Sequence, residues 1–197
     1  MKRRFAAPLV GALLLAGAAA AEAGPQLIPT RDVEITYRVT RAGQTLDERV
    51  RWLAADQLER VDATGSVYML VDHKARRLTL VNDARRAVLE MAVPPGRLLD
   101  PETASGYTRA GDSQVAGLPC TTWRLPTGGD AVKQLCVTGD GVVLQVQDQG
   151  RMVAEATAVD YRAMNPDTFR VPAGYAQAPP PAAAPPPPET GAAPSER

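Results

Sequence analysis

Asp32-Val33-Glu34-Ile35-Thr36-Tyr37-Arg38-Val39-Thr40 alternates without a fault. Val33, Ile35, Tyr37 and Val39 point one way, and the charged residues and threonines between them point the other. A period of two belongs to a β-strand with one buried face, because successive side chains leave a pleated backbone on opposite sides. Working outward, Ala42-Gly43-Gln44 makes a turn and 45–53 reads as a second strand, with Leu46, Val50 and Trp52 on one face. Further strands are expected at 57–62, 66–72, 77–81 and 87–93, and then at 115–125, 131–138, 142–147 and 152–161. Strands about ten residues apart, joined by short polar turns, predict a meandering antiparallel sheet. The pattern breaks at Pro94-Pro95-Gly96, after which 97–105 is the one candidate for a short helix. The predicted fold is mainly β. It is a single domain, 24–177, of curved antiparallel sheet forming a half-barrel or partly closed barrel, with at most one or two short helices.

Both ends fall outside this pattern. Met1-Lys2-Arg3-Arg4 precedes an apolar stretch to Ala21, and Ala21-Glu22-Ala23 offers a peptidase site, so 1–23 reads as a secretory signal peptide. Ala19-Ala20-Ala21 is a second frame for the cut. No cysteine lies near either frame, so the chain is expected to be exported and not lipidated, which in a bacterium means periplasmic. No later stretch approaches the run of about 20 apolar residues that a transmembrane helix needs. At the other end, 178–197 holds eight prolines and six alanines. Runs of proline neither continue a helix nor pair in a sheet. They favour polyproline II, and at about 3.1 Å per residue the tail would reach on the order of 60 Å, as a solvated tether or as a ligand for an envelope protein.

The two cysteines give the sharpest local expectation. Centring a hairpin on Gly128 sets Cys120 and Cys136 directly opposite each other on neighbouring strands, close enough for a disulfide. An oxidising compartment would form that bond. The same register puts Trp123, Leu125, Leu135 and Val137 on a core face and leaves the cysteines with Thr122, Arg124 and Gln134 on the more polar one.

Composition narrows the function classes. With 22 basic and 22 acidic side chains the net charge is zero, which speaks against a nucleic-acid binder, whose surface must neutralise phosphates. Two cysteines and one histidine are too few for most zinc or histidine-based centres, so neither metal nor cofactor is expected. His73, in Asp72-His73-Lys74, reads as an exposed turn residue. Ser66, Ser105 and Ser113 lack the Gly-x-Ser-x-Gly setting of an activated nucleophile, and no phosphate-binding or dinucleotide fingerprint appears. Arg76-Arg77 and Arg85-Arg86 read as solvated turn ends. The sequence therefore predicts no catalytic residues and a protein that is not an enzyme.

Three segments carry a family resemblance. They are Leu58-Glu59-Arg60-Val61-Asp62 with Tyr68-Met69-Leu70-Val71-Asp72, then Val115-Ala116-Gly117-Leu118-Pro119-Cys120, and finally Asn165-Pro166-Asp167-Thr168-Phe169-Arg170-Val171-Pro172-Ala173-Gly174-Tyr175. In this order they resemble uncharacterised exported bacterial proteins related to the periplasmic lipoprotein-carrier (Lol-type) superfamily. The resemblance implies a strongly curved half-barrel whose concave face, covered by helices, holds acyl chains. It places Arg60 near a strand arginine of the carriers.

Two functions follow as expectations. The first is a non-enzymatic periplasmic protein that binds a lipid, acyl chain or other hydrophobic ligand in the curved sheet, with Val33, Ile35, Tyr37, Val50, Trp52, Arg60 and Met69 as ligand-binding candidates. The apolar members of that set are equally well explained as plain core. The second is an envelope interaction module with a filled core, recruiting a protein partner through a sheet edge or the Pro-rich tail. A ligand cavity versus a packed interior separates the two.

Overall fold

The structure, a computed structural model, describes residues 24–93, 106–128 and 131–178. The expected signal peptide at 1–23, the expected helix at 97–105, residues 129–130 and the proline-rich stretch beyond 178 lie outside the described residues.

Twelve strands form one curved, open sheet. The first six are β1 (Val33–Arg41), β2 (Gln44–Leu53), β3 (Leu58–Thr64), β4 (Val67–Asp72), β5 (Arg77–Asn82) and β6 (Ala87–Ala92). Then follow β7 (Thr108–Val115), β8 (Leu118–Gly128), β9 (Ala131–Val137), β10 (Val143–Asp148), β11 (Arg151–Asp160) and β12 (Ala176–Gln177). Their spatial order is β12-β6-β5-β4-β3-β2-β1-β11-β10-β9-β8-β7. Every neighbouring pair is antiparallel except β12, which lies parallel to β6. The expected architecture, a single mainly β domain of curved sheet, is what the chain forms.

The alternation that predicted β1 is visible in its burial. Val33, Ile35 and Val39 are buried and Arg38 is exposed. Burying a side chain of this size is worth about 1.5–3 kcal/mol. The tight hairpins need two residues of positive φ, and Ala42-Gly43, Ala116-Gly117 and Gln149-Gly150 supply them. Two longer turns share another device. The carboxylate of Asp72 accepts the Ala75 N–H at 2.8 Å, and the Asn82 side chain accepts that of Arg85 at 3.0 Å.

Two expectations need correction here. The strand expected at 115–125 is the arm of a hairpin: Ala116-Gly117 breaks it and turns the chain back onto β7, which went unread. β7 (Thr-Arg-Ala-Gly-Asp-Ser-Gln-Val) carries no apolar alternation because it is a largely exposed edge strand. The second correction is the register of β8 and β9. Cys120 and Cys136 are bonded, with Cα atoms 5.5 Å apart, yet the residue directly opposite Cys136 is Thr122. The ladder is offset by two residues from the expected register, with a one-residue bulge between Pro126 and Gly128; an even offset preserves the face and hence the pairing.

The cysteine face is not polar. Cys120 and Cys136 are buried in one cluster with Val33, Ile35, Trp52, Leu144 and Ala156. The opposite face is buried too, where Leu135 and Val137 pack with Leu27, Tyr107 and Val143, and Trp123 and Leu125 lie against them. Both faces are covered because the sheet curls so far that β7 comes back against β11.

The last described stretch of the chain is a strap. Asp32 holds the Ala54 N–H at 2.8 Å through one oxygen and the Met164 N–H at 2.9 Å through the other. From there a 3-10 turn, Pro166–Phe169, is capped by Asn165 and buries Phe169. The strap crosses one face of β3–β6, sets Tyr175 against the buried Tyr68, Leu70, Val81 and Val88, and pairs as β12 with the free edge of β6. The Asn165–Tyr175 ending thus fastens the sheet.

Candidate functional site

Odd and even residues of β1–β3 build two different surfaces. In the ladder, Val33 faces Trp52 and Ile35 faces Val50, while Trp52 in turn faces Glu59. These side chains share one face. Glu34, Arg51, Arg60 and Asp62 occupy the other.

On the first face a cavity of about 130 Å³ opens between the sheet and the N-terminal segment. Ile35, Tyr37, Val50 and Trp52 form its sheet side. Leu27, Ile28 and Pro29 close it from above, and Gly141 and Val143 close it from the β9–β10 turn. Several bonds hold this wall. The Trp52 indole N–H donates to the Pro29 carbonyl at 2.9 Å, the Tyr37 hydroxyl donates to the Val143 carbonyl at 2.6 Å, and the Thr30 N–H donates to the Asp140 carbonyl at 2.9 Å. Gly141 adopts a φ of 95°, and a Cβ there would collide with the Ile28 carbonyl, so only glycine lets the two segments touch.

One polar pair completes the lining. Glu59 Oε2 lies 2.8 Å from His73 Nε2, and the imidazole meets Trp52 edge-on with ring centroids 4.7 Å apart. The His73 side chain is only 11% exposed. The reading of His73 as an exposed turn residue is therefore overturned: it begins the β4–β5 turn, but its N–H is held by the Gln57 carbonyl and its ring is folded inward. Burial pushes the Tyr37 phenol far above its usual range, and the nearby charge of Glu59 adds to the effect.

Of the seven sequence candidates, Ile35, Tyr37, Val50 and Trp52 line this cavity. Val33 is fully buried core. Met69, opposite Val61 and half-buried, shares the face without lining the cavity. Arg60 belongs to the opposite face, and its donors are taken. Nε and Nη2 bond Asp62 at 3.0 and 2.8 Å, Nη1 bonds the Thr168 carbonyl at 3.1 Å, and the guanidinium lies 3.7 Å over the Tyr68 ring. It fastens the strap. The lining from Leu27, Ile28, Pro29, Glu59, His73, Gly141 and Val143 was missed. Only Glu59 left a signal, an ionisable side chain on the Val61 side of the β3 alternation.

A second cavity, of about 290 Å³, lies under the strap between Leu70, Thr79 and Phe169, with Asp72, Arg77, Glu90 and Arg170 around it. Charges of both signs line it, and none of the sequence candidates does. Among the described residues no three His, Cys, Asp or Glu side chains gather as a metal site, and no helix is long and apolar enough to cross a membrane. The disulfide is consistent with export.

These features define a curved-sheet protein with a small apolar cavity walled by its N-terminal segment. Comparison with solved structures agrees on the fold. The chain is similar to a conserved protein of Thermus thermophilus described as uncharacterized, with a TM-score of 0.55 and 14% identity over 76% of this chain and 90% of that one. It is also similar to MucB, with a TM-score of 0.54 and 18% identity over 75% of this chain. MucB as found in the Pseudomonas aeruginosa MucA/MucB complex gives a TM-score of 0.52 and 20% identity over 72% of this chain. The chain spans 60% and 56% of those two MucB chains. Likeness at this identity shows the fold alone. No family model matches the chain, and no curated protein does.

Proposed function

We propose that the chain is an exported, non-enzymatic binding module whose Trp52 cavity receives a hydrophobic group presented by an envelope ligand or partner. The observation that carries this reading is the size and lining of the cavity. About 130 Å³ walled by Ile35, Tyr37, Val50 and Trp52 matches the roughly 150 Å³ that holds a benzene-sized group. It falls below the roughly 300–1,000 Å³ of sites that enclose a drug-sized ligand. The end of an acyl chain or one apolar side chain fits, and a whole lipid does not. The Lol-type resemblance supports an apolar site on a curved sheet, and MucB, a structural neighbour, forms a complex with MucA. In this reading residues 1–23 are removed on export and the Pro-rich tail is a tether.

A second reading rests on β7. Its side chains are largely exposed and it ends the sheet, so a partner's extended segment would add there as a further strand.

Trp52 and Trp123 are the only tryptophans, so Trp123→Phe leaves Trp52 as the sole indole reporter. Titration with toluene, 1-hexanol and a long-chain fatty acid is expected to give a saturable change for the first two and no stoichiometric capture of the third. Native mass spectrometry of protein purified from a periplasmic extract follows any natural adduct. A Trp52 signal that stays flat with every small apolar compound sinks the cavity reading and leaves the β7 edge.

A further inference from the structure

The cavity's lining is apolar except at one corner, where the Glu59 carboxylate meets His73. Glu59 and His73 are the only ionisable groups there besides the neutral Tyr37 phenol. Among the described residues the Glu59 carboxylate touches no arginine or lysine. Its Oε2 is engaged with His73 at 2.8 Å, and its other oxygen accepts no hydrogen bond from any of them. The contrast with the neighbouring carboxylates is sharp: Glu34 is met by Arg51 and Arg162, and Asp62 by Arg51 and Arg60. The Glu59 side chain is a quarter exposed and stands opposite Trp52, so its second oxygen is open to solvent and exerts an attraction on a ligand's N–H donors. Aromatic faces add to it, since they attract cations and not anions.

From this geometry we infer that the ligand of the Trp52 cavity is a hydrophobic primary amine: an apolar body about the size of benzene in the cavity, joined by a short link to an ammonium on the free oxygen of Glu59. This rests on the cavity reading above and adds the sign and position of the charge. Arginine-like heads are disfavoured, because a planar fork wants both carboxylate oxygens and His73 holds one.

The test uses the full mature chain and three compounds of nearly equal shape, phenethylamine, 2-phenylethanol and phenylacetate, followed by calorimetry and by the NMR resonances of Trp52 and His73 at pH 7.5. The amine is expected to bind at least tenfold tighter than the alcohol, and the alcohol tighter than the acid. Glu59→Gln is expected to abolish the amine's advantage over the alcohol with both still bound, a pattern that a misfolded variant would not give. His73→Gln, which keeps a donor to Glu59, is expected to retain the preference for the amine. If the alcohol binds and the amine is no better, or if Glu59→Gln leaves the amine's advantage in place, the charge assignment is overturned while the cavity reading stands. If none of the three binds, the cavity reading falls and this inference with it.

Discussion

Trp52 and Arg51 are neighbours on one strand and live in different surroundings. Trp52 enters a face of Val33, Ile35 and Val50, where contact is dispersion and, among the described residues, the neighbouring Glu59 carboxylate meets only a histidine. Arg51 enters a face where charges run in alternating sign across four strands and the strap: Asp160 to Arg162, Arg162 to Glu34, Glu34 to Arg51, Arg51 to Asp62, and Asp62 to Arg60. Each charge in that ladder is answered by another. The difference teaches where recognition has room. A surface whose polar groups are mutually satisfied offers little to a ligand, whereas a small gap in an apolar face with an uncommitted acceptor offers both shape and charge.

Substitutions that strike one face at a time break the comparison in order of size. Trp52→Ala removes the largest buried side chain on the apolar face and its bond to Pro29. It is expected to cost about 3–5 kcal/mol, read by urea unfolding. Replacing both cysteines by alanine releases the loop closed between β8 and β9 and is expected to cost about 3 kcal/mol, a fall in Tm of roughly 6–12 °C for a domain of this size. On the charged face, Arg51→Ala removes one partner each from Glu34, which keeps Arg162, and Asp62, which keeps Arg60, and is expected to cost about 1–3 kcal/mol. An Arg51→Ala variant as stable as the parent would mean that the charge ladder is ornamental.

Acid sharpens the comparison further. Burial alone would raise the Glu34 carboxyl, but hydrogen bonds from Arg51 and Arg162, and their charges, outweigh it and hold the group below its usual range. A carboxyl whose folded pKa is depressed lends stability above its unfolded value, near 4.5, and loses it as pH falls through the folded one. Stability of the parent is thus expected to drop more steeply between pH 5 and 3 than that of Glu34→Gln, measured by denaturant midpoints across that window. The smallest effect belongs to neither face. Arg109 and Asp112 form a short ion pair on β7 with both side chains exposed, so Arg109→Ala is expected to change stability by less than about 0.5 kcal/mol.

What the sequence made legible is the half of the sheet where one face is buried and the other wet. There the period of two survives in β1 and β2, and four cavity residues could be named from it. Legibility stops where the sheet curls. Both faces of β9 are buried at Leu135, Cys136 and Val137, so alternation no longer marks an inside, and the polar look of Thr122 and Gln134 misassigned the cysteine face. β7 was invisible because an exposed edge strand needs no apolar residues at all. Half of the cavity wall was hidden for a different reason. Leu27, Ile28 and Pro29 are held there by backbone carbonyls and by the absence of a side chain at Gly141, and neither device has a periodicity. Arg60 was singled out for its unusual place in a strand. That instinct found a residue with a task, although the task is to anchor the strap.

β1 is the first strand made and it ends up mid-sheet. Its second partner, β11, is close to the last: the Thr157 hydroxyl donates to the Thr36 carbonyl 121 residues back along the chain. A sheet zipped between such distant segments has a high contact order, which slows folding. Until β11 arrives, β1–β6 is a meander with a raw, unpaired edge at its oldest strand. Hydrogen exchange during refolding should see the β1–β2 amides protected early and the β1–β11 amides late. A chain that completes its sheet only when nearly all of it is available carries that open edge for most of its folding, so any other extended strand present competes with β11 for it.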